Sequence, residues 1–155
     1  MAGSALDGKA IVDYLSIDHI REGSSLPNTD MLAIISGNSV PGRYLRSMPA
    51  SVNEMEAIIE SYPGFIVLGG SAVDSRLRDI VNVAADGDVA TVMSDLIDHG
   101  ESEDTRRTLD EWNRWILLGA DIVKKHQECP LPLIADVETY RGCHRYASGG
   151  CSFCI

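Results

Sequence analysis

The stretch Ser51-Val-Asn-Glu-Met-Glu-Ala-Ile-Ile-Glu-Ser-Tyr-Pro-Gly-Phe-Ile-Val-Leu-Gly-Gly70 holds a helix, a stop and a buried strand in immediate succession. Ser51 and Glu54 have the spacing of a capping box, in which each side chain satisfies a backbone N–H left over at the other residue. Met55, Ile58 and Ile59 follow on one helical face. Tyr62-Pro63-Gly64 closes the helix, because proline pushes the residue before it out of the helical region and has no N–H of its own. Phe65-Ile-Val-Leu68 is then a continuous apolar run, the pattern of a strand covered on both faces, and Gly69-Gly70 turns the chain away.

Working outward, the same alternation recurs. Ala10-Ile-Val12 and Met31-Leu-Ala-Ile-Ile35 upstream and Ile80-Val-Asn-Val83 downstream read as further short strands. After the last of these, Asp86-Gly-Asp88 leads into Val89, Val92, Met93, Leu96 and Ile97, a helical stripe stopped by His99-Gly100. Strands alternating with helices predict an α/β fold, because right-handed crossovers lay helices over a parallel sheet. A Rossmann-like or flavodoxin-like open parallel sheet with flanking helices is expected over residues 8–100, within a first domain of residues 1–100.

With 155 residues and 45% hydrophobic content, the chain can bury one main domain plus a short extension. Its formal net charge is −10, from 23 acidic and 13 basic residues. Neither nucleic acid nor an anionic membrane is expected as a partner, since both attract surplus Lys and Arg. No run approaches the ~20 apolar residues of a spanning helix, and Met1-Ala-Gly-Ser-Ala-Leu-Asp7 lacks the regions of a signal peptide. A cytoplasmic protein is expected. In a reducing compartment, three cysteines crowded at one end favour metal binding over disulfides.

The acidic stretch Glu101-Ser-Glu-Asp104 opens a helical pattern through Leu109, Trp112, Ile116, Leu117 and Val123, ending near Lys124-Lys125-His126 with basic residues suited to a helix C-terminus. This predicts a linking helix within residues 101–130. Trp112 and Trp115 read as packing residues against a following domain, and self-association through their face is expected of this chain alone. Cys129-Pro-Leu-Pro132 breaks the pattern, and Leu133-Ile-Ala-Asp-Val137 reads as a strand opening a segment, residues 131–155, that delivers Arg141-Gly142-Cys143.

That segment runs Glu138-Thr-Tyr-Arg-Gly-Cys-His-Arg-Tyr-Ala-Ser-Gly-Gly-Cys-Ser-Phe-Cys-Ile155. Cys143, Cys151 and Cys154, with glycines at Gly142, Gly149 and Gly150, suit close wrapping around an iron–sulfur cluster. A cubane has four irons, so three thiolates leave one open to a small molecule. The Gly142-Cys143 and Gly150-Cys-Ser-Phe-Cys154 text resembles the cluster loop of the radical SAM superfamily, in a form with seven residues in the first gap where most members have three. The resemblance implies that Cys143, Cys151 and Cys154 ligate a [4Fe-4S] cluster and that S-adenosylmethionine binds the open iron. It also implies that Phe153 neighbours the adenine. One electron from the cluster then cleaves a carbon–sulfur bond to release a reactive radical, chemistry that belongs to the cofactors. By the same resemblance, Leu133–Val137 is the first strand of a catalytic (β/α) barrel of which this chain holds only the start. The intact enzyme would need an electron donor and a small-molecule substrate, and the chain alone is not expected to turn over.

Upstream, Ser36-Gly-Asn-Ser-Val-Pro-Gly-Arg-Tyr-Leu45, Leu68-Gly-Gly70 and Asp86-Gly-Asp88 resemble the α/β domain that precedes many radical SAM barrels, particularly in archaeal proteins, a domain related to the B12-binding type. Such domains bind cobalamin through an Asp-x-His-x-x-Gly stretch. Ile17-Asp-His-Ile20 lacks that spacing, so His19 reads as a surface or cap residue.

The competing class is a non-enzymatic Rossmann-like binding or interaction module, whose terminal cysteines are disordered or hold structural zinc with Cys129 or His144 as a fourth ligand. A second zinc knuckle at the usual spacing is lacking, and Cys129 reads as a buried small hydrophobe. Gly69-Gly70 is either a tight turn or a phosphate cradle, and with the Gly37–Gly42 loop it marks a candidate crevice bordered by Arg43 and Arg46.

Overall fold

The computed structural model describes residues 1–37, 48–70, 73–102 and 107–125. In chain order these form helices α1 (Ala2–Asp7) and α2 (Ile17–Arg21), strand β1 (Met31–Ser36), helix α3 (Val52–Ser61) and strand β2 (Phe65–Gly70). There follow helix α4 (Ser75–Arg78), strand β3 (Val83–Ala84), helices α5 (Val89–His99) and α6 (Leu109–Gly119), and a 3-10 helix at Ala120–Lys125.

The three strands form a parallel sheet in the order β1-β2-β3. Met31 pairs with Phe65 and Ser36 with Gly70, so β1 and β2 run in register along their whole lengths, while only Val83 and Ala84 pair with Val67 and Leu68. The alternation of side chains along β2 sorts the core into two layers. Ile66 and Leu68 meet Met55 and Ile59 of α3, Tyr62 and Leu77 on one face. Val67 meets Ala85 and the Val89, Val92 and Met93 row of α5 on the other. The fold is thus α/β, an open parallel sheet flanked by helices, as expected. Among the described residues no helix is long and apolar enough to cross a membrane.

The capping box at Ser51 is present: the Glu54 N–H donates to Ser51 Oγ at 3.3 Å, and the Ser51 N–H donates to the Glu54 carboxylate at 2.8 Å. Asp88 caps α5 by accepting from the Ala90 N–H at 2.7 Å, and Gly100 ends that helix in the left-handed region, φ +78°. His19 is a cap residue: its Nδ1 accepts from the Ser16 N–H at 3.1 Å and closes the start of α2.

Four expectations need correction. Ala10-Ile-Val12 is not a strand; Lys9 turns the chain with φ +64°, Ile11 is 96% exposed, and no described strand lies beside it. Three apolar residues without a neighbouring ladder have nothing to pair with. Ile80 and Val81 are also outside a strand: Leu77 buries itself as the anchor of α4, and Ile80 falls in the turn behind it. The Asn82 side chain then takes the ladder position, its Oδ1 accepting from the Ile66 N–H at 2.8 Å, and pairing starts only at Val83.

The linking helix begins later than its acidic prelude suggested. Thr108 and Glu111 form a capping box, with Thr108 N–H to Glu111 carboxylate 2.8 Å and Glu111 N–H to Thr108 Oγ1 3.2 Å, while Glu101 and Ser102 are outside any helix. Finally, Trp115 does not face a following domain. It is buried against α1, where it donates from Nε1 to Asp7 at 3.0 Å and meets Trp112 edge-on at 5.0 Å between ring centroids. The outer face of α6 carries Leu109, Ile116 and Leu117 instead.

Candidate functional site

In an open α/β sheet, ligands sit beyond the carboxyl ends of the strands, where the chain changes the face over which it crosses. Here α3 and α4 share one face and α5 takes the other, so the change falls after β3. The rim is built from Ser36 ending β1 and Gly37 after it, Gly69 and Gly70 ending β2, and Ala85 to Asp88 after β3.

The rim is tightly drawn together. The buried Ser36 hydroxyl donates to the Gly69 carbonyl at 3.0 Å, tying the ends of β1 and β2. Gly70 has φ +107°, and a Cβ there would overlap the Ser36 carbonyl oxygen; a Cβ on Gly69 would overlap Val89 Cγ2 of α5. Both glycines therefore have packing reasons: one lets β1 approach, the other lets α5 settle on the sheet. At the start of α5, Asp88 already serves the N-terminal donor that a phosphate would seek.

Among the described residues, further charges at this end are matched locally. Asp86 pairs with Arg78 at 2.6 Å. Asp74 caps α4, and the Arg76 backbone N–H together with its guanidinium holds the Asp74 carboxyl below its ordinary range. Beside the start of α3, Arg21 donates from Nε and Nη2 to Glu54 at 2.8 and 3.0 Å, to Asp18 at 3.1 Å, and to the carbonyls of Met48 and Pro49 at 2.7 and 3.3 Å. That clamp fixes the segment Met48–Pro49 against the start of α3. Arg21 drew no attention in the sequence because, apart from Asp18 three residues before it, its partners lie 27 to 33 residues along the chain, where no local spacing signals them.

The structure brings Gly37, Gly69 and Gly70 to one end of the sheet. Arg43, Arg46, Cys129, Cys143, His144, Cys151, Phe153 and Cys154 lie outside the described residues. Among the described residues no group of three His, Cys, Asp or Glu side chains could hold a metal ion. What the described part contributes toward the cysteine segment is its approach. Helix α6 runs along α1, and the 3-10 helix that continues it ends at Lys125, whose Nζ donates to the Val12 carbonyl at 2.7 Å and to Asp13 at 2.8 Å.

Comparison with known proteins adds two relatives. The chain is 37% identical over 164 residues to the uncharacterised protein MJ0274 of Methanocaldococcus jannaschii, a match covering 92% of this chain and 30% of that protein. It is 30% identical over 154 residues to an uncharacterised protein of Archaeoglobus fulgidus, covering 92% of this chain and 26% of that protein. The chain is homologous to a part of both. It spans less than a third of the length of these relatives. No family model matches the chain. No solved structure matches it either.

Proposed function

We propose that the chain is the N-terminal part of a radical SAM iron–sulfur enzyme, an α/β accessory domain joined by α6 to the loop that ligates the cluster. The observation carrying this reading is Cys143-x7-Cys151-x2-Cys154 in its glycine-rich setting. Two facts support it. The described elements run in the order the reading requires, sheet domain first, then a helix leading toward the cysteines. The homologous proteins extend far beyond the matched part, leaving room for a barrel of the usual ~250 residues.

In this reading Cys143, Cys151 and Cys154 supply three thiolates to a [4Fe-4S] cluster, and Phe153 packs beside the adenine of S-adenosylmethionine. When bound, these two groups supply a one-electron cleavage of a carbon–sulfur bond. The intact enzyme takes that electron from an external donor and acts on a small-molecule substrate, inside a barrel that shields the radical from water.

Anaerobic reconstitution with iron and sulfide tests the proposal, followed by iron and zinc analysis and EPR of the reduced protein with and without S-adenosylmethionine. The expected result is a cluster whose signal shifts on adding S-adenosylmethionine and which Cys151→Ala abolishes. A folded protein that holds zinc and assembles no cluster would overturn it in favour of a structural metal site.

A further inference from the structure

The chain contains Asp-Gly twice, at Asp7-Gly8 and at Asp86-Gly87. In such a pair the aspartyl side chain can close on the next main-chain nitrogen, because glycine has no Cβ to crowd the ring or to restrict the backbone. Closure needs a carboxyl group free to swing, an N–H not engaged elsewhere, and a backbone outside regular structure. On all three counts the fold treats the two pairs differently.

Asp7 ends α1, and its carboxylate accepts from Arg114 at 2.8 and 2.6 Å and from Trp115 Nε1 at 3.0 Å. The Arg114 guanidinium holds that carboxyl below its ordinary range, in the ionised form that parts with an oxygen poorly. The Gly8 N–H is committed too, donating to the Ser4 carbonyl at 3.1 Å. Asp86, by contrast, lies in the bend between β3 and α5 with its side chain 83% exposed. Its partner Arg78 is 40% exposed, so the pair is a surface one that opens readily. Among the described residues nothing accepts from the Gly87 N–H.

We propose that Asp86 is a site of spontaneous isoaspartate formation, and that the fold shields Asp7 from the same reaction. The Gly87 nitrogen bonds to Asp86 Cγ, the amide proton leaves with the carboxyl hydroxyl as water, and a succinimide ring results. Water then breaks one of the two carbonyl–nitrogen bonds of the ring. When the bond at the Asp86 main-chain carbonyl breaks, the chain runs on through Cβ and Cγ and an α-carboxylate is freed, with mass, formal charge and oxidation state unchanged. The main chain is one carbon longer. Both sides of the turn are pinned, the Ala85 N–H to the Leu68 carbonyl at 2.8 Å and Asp88 to the Ala90 N–H at 2.7 Å, so the added carbon loosens the start of α5. This inference is independent of the iron–sulfur reading.

The test ages the reduced 155-residue chain at neutral pH in water enriched in oxygen-18, once folded and once unfolded in guanidinium, and locates label and isoaspartate by peptide mapping with electron-transfer fragmentation. Each ring opening leaves a heavy oxygen in the residue, so turnover is counted even where ordinary aspartate re-forms. In the unfolded chain the two pairs should label at similar rates. In the folded chain, label and isoaspartate should build up at residue 86 and stay several-fold lower at residue 7. Asp86→Glu, which keeps the charge but needs a larger ring, should abolish the signal at residue 86. The aged parent should then unfold at lower urea than the fresh one, whereas aged Asp86→Glu should match its own fresh sample. A folded chain that takes no label at residue 86, or takes it equally at residues 7 and 86, overturns the proposal. An aged, isoaspartate-bearing parent as stable as the fresh protein overturns the loosening of α5.

Discussion

Gly3 of α1 lies against the main chain of Trp115 so closely that a Cβ at residue 3 would overlap the Trp115 carbonyl oxygen. The contact lets α1 and α6 meet backbone to backbone, and Asp7 clamps it: Arg114 donates to Asp7 at 2.8 and 2.6 Å and Trp115 Nε1 at 3.0 Å. Gly3→Ala would add a methyl with nowhere to go. Backbone cannot yield as a side-chain tip can, so the loss is expected at about 1–3 kcal/mol despite alanine's better helix propensity. Urea unfolding followed by circular dichroism reads it, and an unchanged midpoint would show that the two helices separate freely.

Asp95 is wholly buried in α5 and pairs with Arg107, whose guanidinium also sits 5.7 Å above the Trp115 ring. This ion pair joins the sheet-covering helix to the start of α6. Arg107→Met takes one partner from the buried Asp95 carboxylate and should cost about 1–3 kcal/mol. Replacing both, as Asp95→Leu with Arg107→Met, should recover much of that loss. A double-mutant cycle in urea checks it; additive losses would mean that the two charges are solvated separately.

The Ser51–Gly70 stretch was legible because each signal in it is local: a capping box, a proline stop, and an apolar run long enough to be buried on both faces. The same holds for α5, whose Asp88 cap and Gly100 stop are both in place. Expectations failed where the outcome depended on neighbours. Ala10–Val12 has strand composition but no ladder beside it, and Asn82 joins the sheet through a side chain that no periodicity reveals. Trp115 reads the same whether it faces inward or outward until α1 is known to sit on it. Of the candidate site, Gly37, Gly69 and Gly70 were placed correctly at one end of the sheet, whereas the Arg21 clamp needed the fold.

The Arg21–Glu54 contact predicts a pH effect. The Arg21 guanidinium, helped by the Ser51 backbone and hydroxyl, holds the Glu54 carboxyl down to about 2 from an ordinary 4.5. A carboxyl with a lowered folded-state pKa binds protons more readily when unfolded. Its contribution is therefore fully present above pH 4.5 and fades as pH falls toward 2. The pair is partly exposed and solvent-screened, so the effect is expected at no more than ~1 kcal/mol. Glu54→Gln should flatten the stability profile across that window relative to the parent, in urea titrations at matched ionic strength. Parallel profiles would show that the contact is not held in solution.

Gly69 separates a packing role from a ligand role at the sheet rim. If it serves to admit α5, Gly69→Ala forces its methyl against Val89 and should cost about 1–3 kcal/mol. Trimming the obstacle should then help: Val89→Ala loses apolar burial in the parent, yet in the Gly69→Ala background it relieves the overlap, giving a favourable coupling on the order of 1 kcal/mol. Urea unfolding of the four proteins in the cycle measures that coupling directly. A Gly69→Ala protein as stable as the parent, with no coupling to Val89, would instead mean that the helix stands off the strand and that the glycine's small size serves something bound beyond the sheet.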